Sequence, residues 1–317
     1  MSAGEVLERL EVAYREDTVP ARGREGVELY YESTGAGPVV LTLNNFFMTT
    51  PTWRVFTDEL SVGHRVVSYD LCGHGRSSHP EKYPTWDEHV EDVVGLLDSL
   101  EIDQAYLLST SISTVLARDV ALKHPDRVKG IVLAGPALGP RGMRRHRLVQ
   151  RAWLLTLENH GMAALYAHLY PEVFGAEMIE ELGTPGFLGL RESFLALSTK
   201  EDLVNGLKLA LTGETSAELL ARIQAPTFVV IGDDDVLLSP SGARELAEKF
   251  PNGRYEIMPG RGTCRSWTTR RVSRRWWRSS STRSKRVPDQ VSVRTTRSSC
   301  VRPRSRLPRR RVGRRVA

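Results

Sequence analysis

Along residues 1–262, short apolar runs alternate with segments whose apolar side chains return every three or four positions. The runs read as strands: Val27–Glu32, closed by Ser33-Thr34-Gly35; Pro38–Leu43, nearly continuous, as in a strand buried on both faces; then Arg65–Tyr69, Ala105–Leu108, Gly130–Ala134, Pro226–Ile231 and Tyr255–Met258. Between them, Trp53, Phe56 and Leu60 fall at helical spacing. Trp86–Leu100 carries the stripe Val90, Val93, Val94, Leu96 and Leu97, and Thr114–Lys123 reads as another helix. Residues from Pro136 to Ile223 are mostly helical in pattern before the strands resume. Strand–helix alternation predicts an α/β fold: a mostly parallel, doubly wound sheet. A long helical insertion between two strands predicts a helical lid. The expected divisions are residues 1–137 for the first part of the core and 138–222 for the lid. Residues 223–262 form the second part of the core, and 263–317 a separate tail.

Composition changes the picture at the C-terminal end. Of 317 residues, 40% are hydrophobic and 26% charged, enough to bury a core. Three cysteines (Cys72, Cys264, Cys300) fit neither a disulfide framework nor a zinc motif. The longest apolar runs are far short of the roughly 20 residues of a membrane span, and Met1–Glu16 lacks the apolar stretch of a signal peptide. No membrane association is expected, and a cytoplasmic location is. Charge is unevenly divided. Residues 263–317 hold 19 of the 44 lysines and arginines but one acid, Asp289, for a net +18, against −12 for residues 1–262. That tail has no Glu, Ile, Phe, Tyr, Met, Asn or His, so it cannot bury enough apolar surface to order itself and is expected to be disordered.

Ser109-Thr110-Ser111-Ile112-Ser113 stands where a strand gives way to a helix. A serine on such a tight turn presents its hydroxyl at the strand end, and the turn tolerates only small residues two positions to either side. The segment is followed by Ala121-Leu122-Lys123-His124-Pro125-Asp126-Arg127-Val128. It is preceded by Asp70-Leu71-Cys72-Gly73-His74-Gly75-Arg76-Ser77-Ser78, and further on come Pro226-Thr227 and Gly232-Asp233-Asp234-Asp235. In that order these phrases resemble the α/β-hydrolase family: its G-x-S-x-G elbow, its helix ending in His-Pro-Asp/Glu-Arg-Val, its D-x-R-G-x-G-x-S loop and its G-x-x-D acid loop. The resemblance spans about Gly26 to Gly262, with Cys72 in place of the family's arginine. It implies Ser111 as nucleophile and Asp235 as the acid that orients a histidine, with Asp233 and Asp234 as alternatives. It also implies an oxyanion hole from the N–H of Ile112 and one from the loop after Leu43. Where relatives have His-Gly that loop reads Asn44-Asn45, which makes Phe46 the second donor. Among the histidines, His74 reads as loop-shaping and His124 as a helix C-terminal residue favoured by the dipole. His146, His160 and His168 fall in the lid as surface or substrate-contact residues.

The resemblance also requires a histidine after the last strand, in a phrase like G-x-G-H. Here Met258-Pro259-Gly260-Arg261-Gly262 is followed by Thr263, and no histidine occurs after His168. The genetic code offers a reason. Thr263 to Val272 can be encoded ACC TGC CGT TCC TGG ACG ACC CGG AGG GTG. Begun one base earlier, on a C ending the codon for Gly262, the same bases read His-Leu-Pro-Phe-Leu-Asp-Asp-Pro-Glu-Gly. That phrase is similar to the family's catalytic-histidine loop. The expectation is a single-base deletion near codon 262, with the arginine-rich tail read out of frame. A genuine basic tail would instead bind polyanions in a salt-sensitive, non-specific way.

The function implied is hydrolysis of an ester, thioester or lactone through Ser111, crippled by the missing base. Its partner is a small-molecule acyl substrate. No cofactor, metal or specific nucleic acid is called for. The alternatives are a non-catalytic member that keeps its pocket, or a same-fold enzyme of elimination or acyl transfer.

Overall fold

The computed structural model describes residues 13–138, 143–235, 237 and 239–258. Thr263, the phrase Gly260-Arg261-Gly262 and the arginine-rich segment 263–317 lie outside the described residues. A small antiparallel ribbon of β1 (Ala21–Arg22) and β2 (Glu28–Leu29) precedes the sheet. The sheet has seven strands: β3 (Tyr31–Thr34), β4 (Val39–Leu43), β5 (Arg65–Tyr69), β6 (Ala105–Thr110), β7 (Val128–Ala134), β8 (Thr227–Gly232) and β9 (Gly253–Met258). Their order is β3-β5-β4-β6-β7-β8-β9. The pair β3–β5 is antiparallel and every other pair parallel, the mostly parallel sheet expected from the alternation.

The first strand differs from expectation. Val27–Glu32 is not one strand but two, because the ladder is interrupted at Tyr30. Its N–H donates to Ser77 Oγ (3.0 Å) and its carbonyl accepts from Asp70 N (2.9 Å), so the loop carrying Asp70 and Ser77 takes the place of a neighbouring strand.

Alternate residues of each strand feed different layers. Leu41, Leu43, Val67, Leu107, Val229 and Ile231 join the larger core with α2 (Trp86–Ser99), α3 (Ser113–Lys123) and α8 (Pro240–Ala247). Val40, Leu108, Val132 and Val230 face the other way, onto Trp53 of α1 (Thr50–Ser61). The helices begin where capping chemistry dictates. Thr85 and Glu88 form a reciprocal capping box at α2. Ser239 caps α8, whose first residue is Pro240. That helix was not expected from periodicity, although Ser-Pro is its start signal.

Between β7 and β8 the chain runs through α4 (Met143–Val173), α5 (Ala176–Leu197), α6 (Lys200–Ala210) and α7 (Ala217–Ala221). The first two bend sharply at Gly161 and Gly183, whose positive φ values (81° and 54°) only glycine adopts at little cost. These helices share a core of Trp153, Leu157, Leu165, Leu169, Leu203 and Leu207, joined by Leu237 from the loop after β8. Among the described residues no helix is long and apolar enough to cross a membrane.

Three histidines are buried in this architecture: His74, His89 and His146. Burial disfavours their charged forms, pushing His74 and His89 down to about 3 and His146 to about 4. The unfolded chain takes up these protons near the ordinary histidine value while the folded chain does not. Each histidine therefore withdraws stability as pH falls below about 6.5, down to its folded value. Buried Asp70 and Asp92, whose carboxyls are raised by burial, act in the opposite sense, so a difference measurement is the clean test. Between pH 7 and 5, wild type should lose roughly 1–2 kcal/mol more stability than His146→Phe. Parallel urea-unfolding profiles for the two proteins would show that His146 is not held neutral.

Candidate active site

The site is built at the C-terminal ends of β4, β6 and β8. From Leu107 to Arg118 every residue is buried except Ser111, which keeps partial access at the turn between β6 and α3. Its φ is 52°, and among the described residues Glu101 is the one other non-glycine residue with positive φ. Glu101 closes the C-terminus of α2, a common place for it. Ser111 has no such ordinary explanation, and a left-handed serine costs on the order of 1 kcal/mol.

The surrounding hydrogen bonds hold that turn. Ser111 N donates to Ala134 O (3.0 Å) at the end of β7, and Ser111 O accepts from Ala137 N (3.1 Å), Thr114 N (3.2 Å) and Thr114 Oγ1 (2.5 Å). Ser113, which stands where relatives have glycine, does more than fit. Its hydroxyl accepts from Thr110 N (3.0 Å) and lies 2.8 Å from both Leu43 O and Thr110 O, either of which it can donate to. The turn is thereby tied to the end of β4, where the loop of Asn44, Asn45 and Phe46 begins. Sequence reasoning had credited Ser113 with small size alone.

In that loop Asn44 and Asn45 have separate tasks. Trp53 Nε1 donates to Asn44 Oδ1, and Asn44 Nδ2 donates to Asp70 Oδ1 (3.4 Å). Asp70, fully buried, also accepts from Thr50 N, Thr50 Oγ1, Tyr14 Oη and Arg76 N at 2.7–2.9 Å. Asn45 Oδ1 accepts from Phe47 N (2.8 Å) and so turns the loop. Phe46 is buried, its ring stacked on His74 (5.4 Å between centroids) and close to Trp86 (5.8 Å). Among the described residues no hydrogen bond engages the N–H of Phe46 or of Ile112. His74 is enclosed here with Nδ1 3.1 Å from Tyr83 Oη, a loop-shaping position. Cys72 lies against the guanidinium of Arg24 (3.9 Å), which pairs with Asp92.

The three aspartates after β8 differ in surroundings. Asp233 and Asp234 are exposed, and Asp234 Oδ2 accepts from Ala176 N (2.8 Å) at the first residue of α5. Asp235 is buried, with Oδ1 accepting from Leu237 N (2.8 Å). Ser111 follows β6 and Asp235 follows β8, with β7 between the two strands. Two strand spacings put the two strands roughly 10 Å apart. Position 263 lies beyond the described residues. Among those residues no group of three His, Cys, Asp or Glu side chains is placed to hold a metal ion.

A mostly parallel sheet with a left-handed serine just after its central strand defines an α/β protein with a strained strand-to-helix turn. A family model described as the alpha/beta hydrolase fold matches residues 38–264, and the chain belongs to that family. The 2-hydroxymuconate semialdehyde hydrolase of a Pseudomonas species is 38% identical over 247 residues, covering 74% of this chain and 78% of that one. Among solved structures, the enol-lactonase of Burkholderia xenovorans has a TM-score of 0.63 at 25% identity, covering 74% of this chain and 89% of its own. A thermophilic esterase of Thermogutta terrifontis superposes with a TM-score of 0.72 at 22% identity, covering 84% of this chain and all of its own, a likeness of fold.

Ser113→Ala should destabilise the protein by roughly 1–3 kcal/mol, because it strands the buried Thr110 N–H without an acceptor. Denaturant unfolding checks this. A Ser113→Ala protein as stable as wild type would mean the hydroxyl does not hold the elbow.

Proposed function

We propose that this chain is a serine hydrolase of carboxylic esters, thioesters or lactones, arrested as written by the loss of its general base. The carrying observation is the left-handed backbone at Ser111, the one residue with access to solvent between Leu107 and Arg118. In this reading Ser111 Oγ attacks the acyl carbonyl, and the N–H groups of Ile112 and Phe46 bind the developing oxyanion. Asp235 orients the histidine that takes the serine proton and returns it to the leaving group, and water then releases the acyl group. Burial favours Asp235 over Asp233 and Asp234 for this role. The helices of residues 138–222 serve as a lid over a small, partly apolar acyl substrate met in the cytoplasm. A lactonase and a semialdehyde hydrolase among the relatives support acyl-type chemistry.

The missing histidine is read as the result of a single-base deletion near codon 262. The family match stops at residue 264, where acidic composition gives way to the arginine-rich tail. Reading the nucleotides across that codon tests this: a frame encoding Gly-His-Leu-Pro supports it, and none in any frame overturns it. Thr263 cannot replace imidazole as a base near pH 7. By analogy with a serine protease, loss of the base costs about 10⁶ in turnover. The chain as written should bind acyl ligands with turnover close to background. A frame-restored chain should hydrolyse short acyl esters or thioesters and lose that activity on Ser111→Ala. Robust Ser111-dependent turnover by the chain as written would refute this and point to a base elsewhere. Product analysis of the frame-restored enzyme separates hydrolysis from elimination or acyl transfer.

A further inference from the structure

We infer that α6 of the helical insertion sets the oxyanion loop, with Gly206 as the positioning residue that holds Phe46 in place. This rests on reading the Phe46 N–H as an oxyanion donor. The ring of Phe46 belongs to a closed circuit of stacked and tilted rings. His74 lies 5.4 Å from it, Tyr83 5.7 Å from His74, His89 6.0 Å from Tyr83, Trp86 6.3 Å from His89, and Trp86 returns to Phe46 at 5.8 Å. Apart from Phe46, on the loop after β4, this circuit comes from the loop after β5 and the start of α2. The insertion closes on it from another side, at Gly206.

A Cβ added at Gly206 would lie 2.5 Å from Phe46 Cγ, 2.7 Å from Cδ1 and 2.9 Å from Cβ. These atoms are the root of the side chain, not its far end, so the ring cannot swing away while its backbone stays. Helix and loop backbone are in effect packed together with one ring between them. One turn earlier on the same helix, the buried carboxylate of Asp202 meets His79 Nε2 (3.4 Å), on the loop that also carries His74. The face of α6 from Asp202 to Gly206 therefore docks on two loops, with the Asp202 carboxylate against His79 of the loop after β5 and a side-chain-free contact against Phe46 of the loop after β4. Phe47, the next residue, turns into the insertion itself, against Trp153 (5.6 Å) and Phe194 (6.4 Å). The loop is gripped by the insertion at two consecutive residues.

The test separates positioning from helix stability. Gly to Ala inside a helix ordinarily stabilises that helix. In the full chain, Gly206→Ala should accelerate amide hydrogen exchange in residues 44–48 by about tenfold, with exchange in 203–210 no faster than wild type. Gly213→Ala, whose Cβ would meet nothing nearer than 3.5 Å, serves as control and should leave residues 44–48 unchanged. Unchanged exchange at 44–48 in Gly206→Ala, or equal acceleration throughout the protein, overturns the inference. If Gly206→Ala does not fold, Asp202→Asn loosens the same docked face without adding volume and should give the same local acceleration. Slow exchange at 44–48 in a folded Asp202→Asn protein overturns it equally. In the frame-restored enzyme, Gly206→Ala should lower kcat by about 10–100-fold with little change in KM, because the hole donor acts in the transition state. An effect on KM alone would contradict it. Failure of the Ser111 reading is distinguishable: no variant would then show Ser111-dependent turnover, while the exchange measurement would still report on α6 and Phe46.

Discussion

A serine backbone forced into the left-handed region is the constraint on which the rest of this site depends. It is unfavourable by itself, so it persists because its surroundings over-determine it. Ser111 N–H is taken by β7, its carbonyl by residues from α3 and from the segment after β7, and the adjoining turn is fastened through Ser113 to the end of β4. Strained backbone is an expected companion of function when neighbours hold it so firmly. The same bonds fix where the N–H groups of Ile112 and Phe46 stand relative to each other. Ile112 follows the strained residue, and Phe46 follows the strand to which Ser113 is tied.

The loop after β4 has a second anchor in electrostatics. Asp70 is buried, and among the described residues five neutral donors from Asn44, Thr50, Tyr14 and Arg76 N–H surround its carboxyl. Desolvation raises its carboxyl above the ordinary range while those donors oppose the shift. Through Asn44 the same network reaches Trp53, the large side chain on the α1 face of the sheet. The asparagine that replaces the family's histidine is thus a structural member whose side chain faces Asp70 and Trp53. Substitution at this position leaves the backbone donors intact and changes how the loop is braced.

The alternation of strands and helices, the helical insertion and the strand-to-helix turn at Ser111 were legible because they rest on local signals. Buried parallel strands are continuous apolar runs, and a strand-to-helix turn demands small residues around its serine. Contacts between distant segments were not legible. Nothing in Val27–Glu32 reveals that Ser77 and Asp70 will interrupt the ladder at Tyr30. Gly206 reads as an ordinary helix glycine until the insertion folds back on Phe46. The resemblance points to Asp235 among the three consecutive aspartates after β8, but the features that set them apart, the burial of Asp235 and the bond from Ala176 to Asp234, arise only in the folded chain. The short helix α8 was missed because its few apolar positions give little periodicity, though its Ser-Pro start was visible.

The central claim is a nucleophile elbow that is complete and a base that is missing. Intact-mass spectrometry after brief mixing with an activated acyl ester tests it most directly, in the chain as written and in its frame-restored form. The account predicts a single acyl mass added to the frame-restored chain, mapped to the peptide holding Ser111, and none on the chain as written over the same interval. Equal acylation of both forms, or an acyl group mapped to any other residue, would contradict it.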